Sequence, residues 1–280
     1  MITLFNRTEN DPINVKFWSF PGGERGCKIE LEDESLLLEE EHVFLIRMDF
    51  RSSDDLIDLL LLNNAIRNMF VLASKIDLVV HIPYFPYARQ DRVMSPGESL
   101  SLQVAVDLIK SCEPYTVIVH DPHSDVLAGM FKPGQLIIVP QEHLIEFDVS
   151  ENVPTYLVSP DAGALKKIYK IAKKHNLPVI EASKIRDVST GNIVGTKVEN
   201  LGITDKVDLI VVDDIIDGGK TFIELAKELK KVYNINRLVL AASHGIFSKG
   251  LDVLEDYDKI YVQNNMSDYD LEAFNIASEF

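Results

Sequence analysis

Apolar residues along this chain recur in two alternating rhythms. Short β-branched and aromatic runs at 14–19, 43–50, 75–82, 116–120, 135–139, 155–159, 179–181, 209–212, 237–242 and 259–262 read as strands. Segments with apolar residues at helical spacing separate them, and predict helices over 54–73, 101–110, 162–175, 221–232 and 249–254. This alternation predicts an α/β protein with parallel sheets. Two halves of similar size each carry several such units, so a tandem of two related domains is expected, with the division near 139–152.

One stretch, 207–231, organises the second half. Leu209 to Val212 run apolar into Asp213 and Asp214, as a buried parallel strand does at a ligand crevice. Asp217-Gly218-Gly219-Lys220-Thr221 then turns into a helix, and a helix N-terminus behind a glycine turn seats anions. The spacing is not that of a Walker loop, which needs four residues between its glycines. Two readings stay open for the acids: caps of the following helix, or ligands of sugar hydroxyls or Mg²⁺. In the first half, the run from His81 to Arg92 places two prolines and three aromatics directly after a strand and presents Arg89, Gln90, Asp91 and Arg92 together. Such a stiff loop suits a nucleotide, with guanidinium groups for phosphate oxygens; a surface Arg–Asp network is the plainer alternative. Phe20-Pro21-Gly22-Gly23-Glu24 reads by itself as a hairpin turn. Ser53 or Asp54 is the natural N-cap of the 54–73 helix.

Composition narrows the function classes. The 280 residues carry 28 Lys and Arg against 44 Asp and Glu, a formal net charge of −16. That balance argues against a nucleic-acid binder, which needs clustered cations. Only two cysteines are present, so neither a disulfide framework nor a zinc site is expected. Neither a signal-peptide pattern nor an apolar run of membrane-spanning length occurs, and a cytoplasmic location without membrane contact is expected.

The 207–231 stretch resembles the phosphoribosyl pyrophosphate (PRPP) motif shared by type I phosphoribosyltransferases and ribose-phosphate pyrophosphokinases. The 81–92 loop is similar to the signature segment of the pyrophosphokinases. Further ordered resemblances follow, from Phe20 to Ser248: Phe20–Glu24, Asp49–Leu56, His120–Ser124, the turn Ser159-Pro160-Asp161-Ala162-Gly163, the cations Lys184 and Arg186, and Ser243–Ser248. The resemblance implies two tandem type I phosphoribosyltransferase-like domains, each with a mainly parallel central sheet flanked by helices. They would span 1–142, with the ATP site and oligomer contacts, and 143–280, with the ribose-phosphate site and a short acidic tail that could return to the first domain.

It also implies roles. Phe20, Glu24, Arg89, Gln90, Asp91 and His123 would bind ATP. His123 and Asp161 would serve Mg²⁺. Lys184, Arg186 and His123 would be catalytic, the two cations riding on a mobile loop over 183–198. Asp161, Asp213, Asp214, Asp217, Gly218, Gly219, Lys220 and Thr221 would hold the ribose-phosphate side. The activity implied is Mg-dependent transfer of a diphosphate from ATP to a ribose 1-hydroxyl, releasing AMP, by a homo-oligomer (dimer or hexamer). A PRPP-consuming phosphoribosyltransferase and a non-catalytic regulatory subunit are the alternatives.

Three departures from the family pattern stand out. The stretch 93–99 is acidic where an allosteric phosphate/ADP site needs cations, as in an archaeal-type branch. The tail after Val262 is short. The sugar-phosphate loop reads Asp217-Gly218-Gly219-Lys220-Thr221 where the family has Asp-Thr-Gly-Gly-Thr, losing a Thr hydroxyl and gaining a Lys charge, which leaves ribose 5-phosphate and a 5-substituted acceptor such as ADP-ribose both open.

Overall fold

The computed structural model describes residues 1–6, 12–32, 36–37, 40–186, 193–269 and 276–277. The chain divides into two compact units, Met1–Val139 and Pro140–Phe280.

The first unit holds one seven-stranded sheet ordered β3-β2-β1-β4-β5-β6-β7. Its strands are β1 (Ile2–Asn6), β2 (Pro12–Ser19), β3 (Arg25–Glu30), β4 (Glu41–Met48), β5 (Lys75–Ile82), β6 (Thr116–His120) and β7 (Leu136–Val139). Strands β4 to β7 run parallel, while β1, β2 and β3 form an antiparallel ribbon at one side. The helices are α1 (Asp54–Met69), α2 (Ser101–Ser111) and the short α3 (Val126–Gly129). Leu59, Leu62 and Ile66 of α1 and Ala105, Val106 and Ile109 of α2 close the core against Phe44, Ile46, Val80 and Val117 of the sheet. The expected side-chain cap of α1 is not made. Ser53 sits at the N-cap, but its hydroxyl pairs with the Tyr87 hydroxyl at 2.7 Å. Asp55 instead accepts the free backbone N–H groups of Arg51 and Ser52 at 2.7 and 2.9 Å, and the N-terminal ammonium at 3.2 Å.

The second unit holds a seven-stranded sheet ordered β10-β9-β8-β11-β12-β13-β14. These are β8 (Thr155–Ser159), β9 (Val179–Arg186), β10 (Ile193–Val198), β11 (Val207–Ile216), β12 (Ile235–Gly245), β13 (Lys259–Asn265) and β14 (Ile276–Ala277); all pair in parallel except β9 with β10. Helix α4 (Leu165–His175) covers one face and α5 (Lys220–Val232) the other. Strand β11 shows why its sequence is apolar without alternation. Leu209 and Val211 pack with Phe222, Leu225 and Leu229 of α5, and Ile210 and Val212 with Ile168 and Ile171 of α4. Both faces of a central parallel strand are buried.

Several expectations change. The 183–198 loop is in part a hairpin: β9 runs on through Arg186 and β10 returns beside it, while 187–192 lie outside the described residues. The 249–254 helix is only a 3-10 turn, Asp252–Leu254. Helix α4 starts at Leu165 rather than at 162, because Asp161 folds the intervening residues into a turn, accepting the N–H of Gly163 at 2.9 Å and of Ala164 at 3.3 Å.

Candidate functional site

In the second unit, chain order sets the crevice. From β8 the chain moves to β9 on one side, and later places β11 on the other. A parallel sheet binds ligands beyond the carboxyl ends of strands at such a reversal. Val211 pairs with Val158, so Asp213 and Asp214 stand level with the turn that follows β8. Strand β11 itself continues to Ile216, so the two acids lie on the strand rather than after it.

Asp161, Lys184, Asp213 and Asp214 meet there. Lys184 Nζ lies 2.6 Å from Asp161 Oδ2. Burial alone would push the Asp161 carboxyl up, but Lys184 and the N–H groups of Ala164 and Gly163 outweigh it and hold it below its ordinary value. Asp213 goes the other way. Burial, then the adjacent Asp214 charge, push it well above the usual carboxylate range, only partly offset by the Asp214 N–H it accepts at 2.9 Å. Lys167 on α4, which the sequence did not single out, lies 3.9 Å from Asp214 Oδ2. Its signal was faint: a lysine at the first turn of a helix that begins just past a strand-end turn. Two cations therefore face three carboxylates, a charge pattern suited to a polyhydroxylated, phosphorylated ligand.

The anion seat follows. Gly219 has φ 76° at the head of α5, a conformation open to glycine, and a Cβ there would stand 3.0 Å from Val253 Cγ2. Gly218 approaches Lys249 and Ser248, whose atoms a Cβ would meet at 3.6 Å. Asp217 precedes the turn and Thr221 lies in the first helical turn. Helix α5 has no acid in its first turn, so its positive end faces the glycine turn. Lys220 extends into solvent, 82% exposed and 4.0 Å from Glu224 one turn on. Arg186 ends β9, and its side chain lies outside the described residues.

In the first unit, the loops after β5 and β6 carry the predicted groups. Arg89, Gln90 and His123 are exposed. Asp91 is not free. Arg92 grips it with two hydrogen bonds (2.7 and 3.0 Å) and Ser124 Oγ donates to it at 2.5 Å, holding the carboxyl well below the usual range. Its place is therefore between the two loops. Phe20 and Glu24 sit on the β2–β3 hairpin, where Phe20 N–H donates to Glu24 O at 2.8 Å. Phe20 is half exposed and meets Trp18 edge to face, ring centroids 5.9 Å apart. Arg25 anchors this hairpin to α1 through a two-pronged contact with the buried Asp58, Nε to Oδ1 at 2.8 Å. Over 93–99, Glu98 accepts the N–H of Met94 at 2.7 Å and of Ser95 at 3.1 Å, so the acid builds the loop itself.

Comparisons with known proteins add the lineage. Residues 5–112 match the N-terminal domain of ribose phosphate pyrophosphokinase. The chain is 31% identical over 216 residues to the ribose-phosphate pyrophosphokinase of Saccharolobus solfataricus, covering 77% of this chain and 71% of the relative. It is 30% identical over 247 residues to that of Pyrococcus furiosus, covering 86% and 82%. The fold is that of phosphoribosylpyrophosphate synthetase from Mycobacterium smegmatis, with a TM-score of 0.71 at 20% identity over 90% of this chain and 80% of that one.

Proposed function

The chain belongs to the ribose-phosphate pyrophosphokinase family, whose members are ATP-dependent diphosphotransferases, and from that premise we propose that its acceptor is ribose 5-phosphate. The ribose 1-hydroxyl oxygen bonds to the β-phosphorus of ATP and releases its proton to solvent, the bond from that phosphorus to the α–β bridging oxygen breaks, and AMP leaves with the bridging oxygen. Such transfers need little covalent help from a protein; positioning and charge neutralisation supply the rate. Arg89 and Gln90 hold the nucleotide phosphates, with Asp91 fixing their loop. Asp213 and Asp214 accept hydrogen bonds from the ribose hydroxyls, and Asp217–Thr221 cradle the 5-phosphate. Lys184 and Arg186 neutralise the diphosphate as it moves.

Among the described residues, no three His, Cys, Asp or Glu side chains gather as a metal cage. Mg²⁺ binds through phosphate oxygens, waters and one or two carboxylates and needs no protein cage. His123 and Asp161 are the proposed protein contacts; bound Mg²⁺ would neutralise phosphate charge. The phosphoribosyltransferase alternative leaves the loop of Arg89 and Gln90 without a purpose, and the non-catalytic alternative is disfavoured by an intact Lys184–Asp161 pair. Homo-oligomeric assembly, with Phe20 and Glu24 serving a neighbour's nucleotide, is part of the same proposal.

The observation that carries the acceptor is the orientation of Lys220. Its side chain leaves the loop for solvent instead of turning into the cradle, where a second phosphate would need an added cation. A second reading keeps a 5-substituted acceptor such as ADP-ribose, because the same lysine stands at the rim where a second phosphate would emerge. AMP release from Mg-ATP, measured with ribose 5-phosphate and with ADP-ribose, separates them. The expected result is a kcat/KM at least about tenfold higher for ribose 5-phosphate. The reverse preference would make Lys220 the specificity element, and no AMP with either would favour the non-catalytic alternative.

A further inference from the structure

His81 and His120 carry no role in the reading above, yet they occupy the roots of both nucleotide loops. His81 lies at the carboxyl end of β5, ahead of the loop bearing Arg89 and Gln90. His120 is the last residue of β6, ahead of the turn bearing His123. The strands are parallel neighbours and His81 pairs with Ile118, so the two imidazoles lean towards each other past the end of the ladder. Their Nε2 atoms are 2.9 Å apart and their ring centroids 4.8 Å.

The same two loops are linked twice more. The His120 N–H donates to Pro83 O at 3.1 Å, and Ser124 Oγ donates to Asp91 at 2.5 Å. Each loop also holds a non-glycine residue in the left-handed region, Tyr87 at φ 60° and Asp121 at φ 34°. Backbone of that kind persists only where surrounding contacts impose it. The imidazole pair is one such contact, and it has the right charge state. Titratable and charged groups facing His81 are Arg47 on β4, Asp49 just after it and His120 on β6. Burial, followed by His120 and Arg47, lowers His81 to about 4 against the opposing pull of Asp49. At neutral pH the rings therefore share one N–H between them, with one ring donating and the other accepting. An apolar residue at either strand end could not make that link.

We propose that His81 and His120 are positioning residues for the nucleotide, and that their mutual hydrogen bond ties the two loop roots together so that Arg89, Gln90 and His123 are presented as one preformed surface. This rests on the ATP reading of those loops.

The test compares wild type with His120→Leu, which keeps the volume, and His120→Gln, which keeps a polar atom near the Nε2 position. Affinity for a non-hydrolysable ATP analogue is measured without acceptor, alongside KM for ATP, kcat and Tm. The expected result is a loss of about tenfold in analogue affinity and in KM for ATP for the leucine variant, as one hydrogen bond's worth of ordering disappears. Its kcat at saturating ATP stays within about twofold, and the glutamine variant recovers most of the affinity. A downfield imidazole N–H proton resonance, present in wild type, disappears in the leucine variant. Unchanged analogue affinity in His120→Leu would overturn the proposal, as would glutamine failing to recover any affinity while Tm matches wild type. If wild-type protein itself does not bind the analogue, the ATP reading fails and this inference falls with it, an outcome distinct from variants that bind normally.

Discussion

Two carboxylates in one crevice are driven in opposite directions by their neighbours. Asp161 has a lysine and two backbone N–H groups and stays ionised; Asp213 has burial and a second carboxylate beside it and resists ionisation. The folded state therefore holds a proton on Asp213 at a pH where the unfolded chain, at 3.8, has lost it. Its contribution runs against folding as pH rises from about 3.8 through that raised value, and the full penalty is present above it. Asp213→Asn should accordingly raise Tm by a few degrees at neutral pH, with the gain shrinking towards acid pH, while kcat/KM for the acceptor falls roughly a hundredfold. Paired thermal melts and AMP assays check both halves, and a Tm that falls would show the acid to be a structural ligand instead. That Asp213 and Asp214 stand at the crevice end of a buried strand was legible in the sequence, from the apolar run before them. Lys167 was not, since only the register of β8 against β11 brings the first turn of α4 to Asp214.

At the scale of elements, the central strands declared themselves and the edge ribbons did not. Strand β11 is buried on both faces and reads as an unbroken apolar run, whereas β3 buries only Gly26 and Ile29 among Arg25, Cys27, Lys28 and Glu30. Its glycine is there because a Cβ would fall 2.3 Å from Trp18 of β2. That is a packing reason no periodicity announces. Strand β10 hid for a similar reason, its glycine and its charged hairpin partner reading as loop. Beside the β1–β2 ladder and the buried Ile13 and Ile29, the Arg25–Asp58 contact ties the β2–β3 ribbon to α1. Arg25→Ala leaves Asp58 buried with its main cation gone, which is costly. The expected outcome is a Tm lower by several degrees, with amide exchange accelerated across 12–30 and unchanged in β5 and β6. Uniform acceleration would mean instead that the contact supports the whole unit.

At the scale of the molecule, two α/β units were foreseeable from the repeated strand–helix rhythm, since each rhythm needs its own sheet to cover. The departure at 93–99 also belongs here. Glu98 spends its carboxylate on the backbone of its own loop, and no cation from 93 to 99 is available to a free anion. Titrating inorganic phosphate, and ADP at saturating ATP, into the AMP assay should give no activation and no inhibition beyond competition at the ATP site. A rising phosphate curve would place an effector site elsewhere.

Lys184 has one more consequence. The cation proposed for the moving diphosphate is already held, 2.6 Å from Asp161. A ligand must bring enough negative charge to draw it off that carboxylate. Water brings none, so under the proposed mechanism the pair stays closed until phosphate charge arrives.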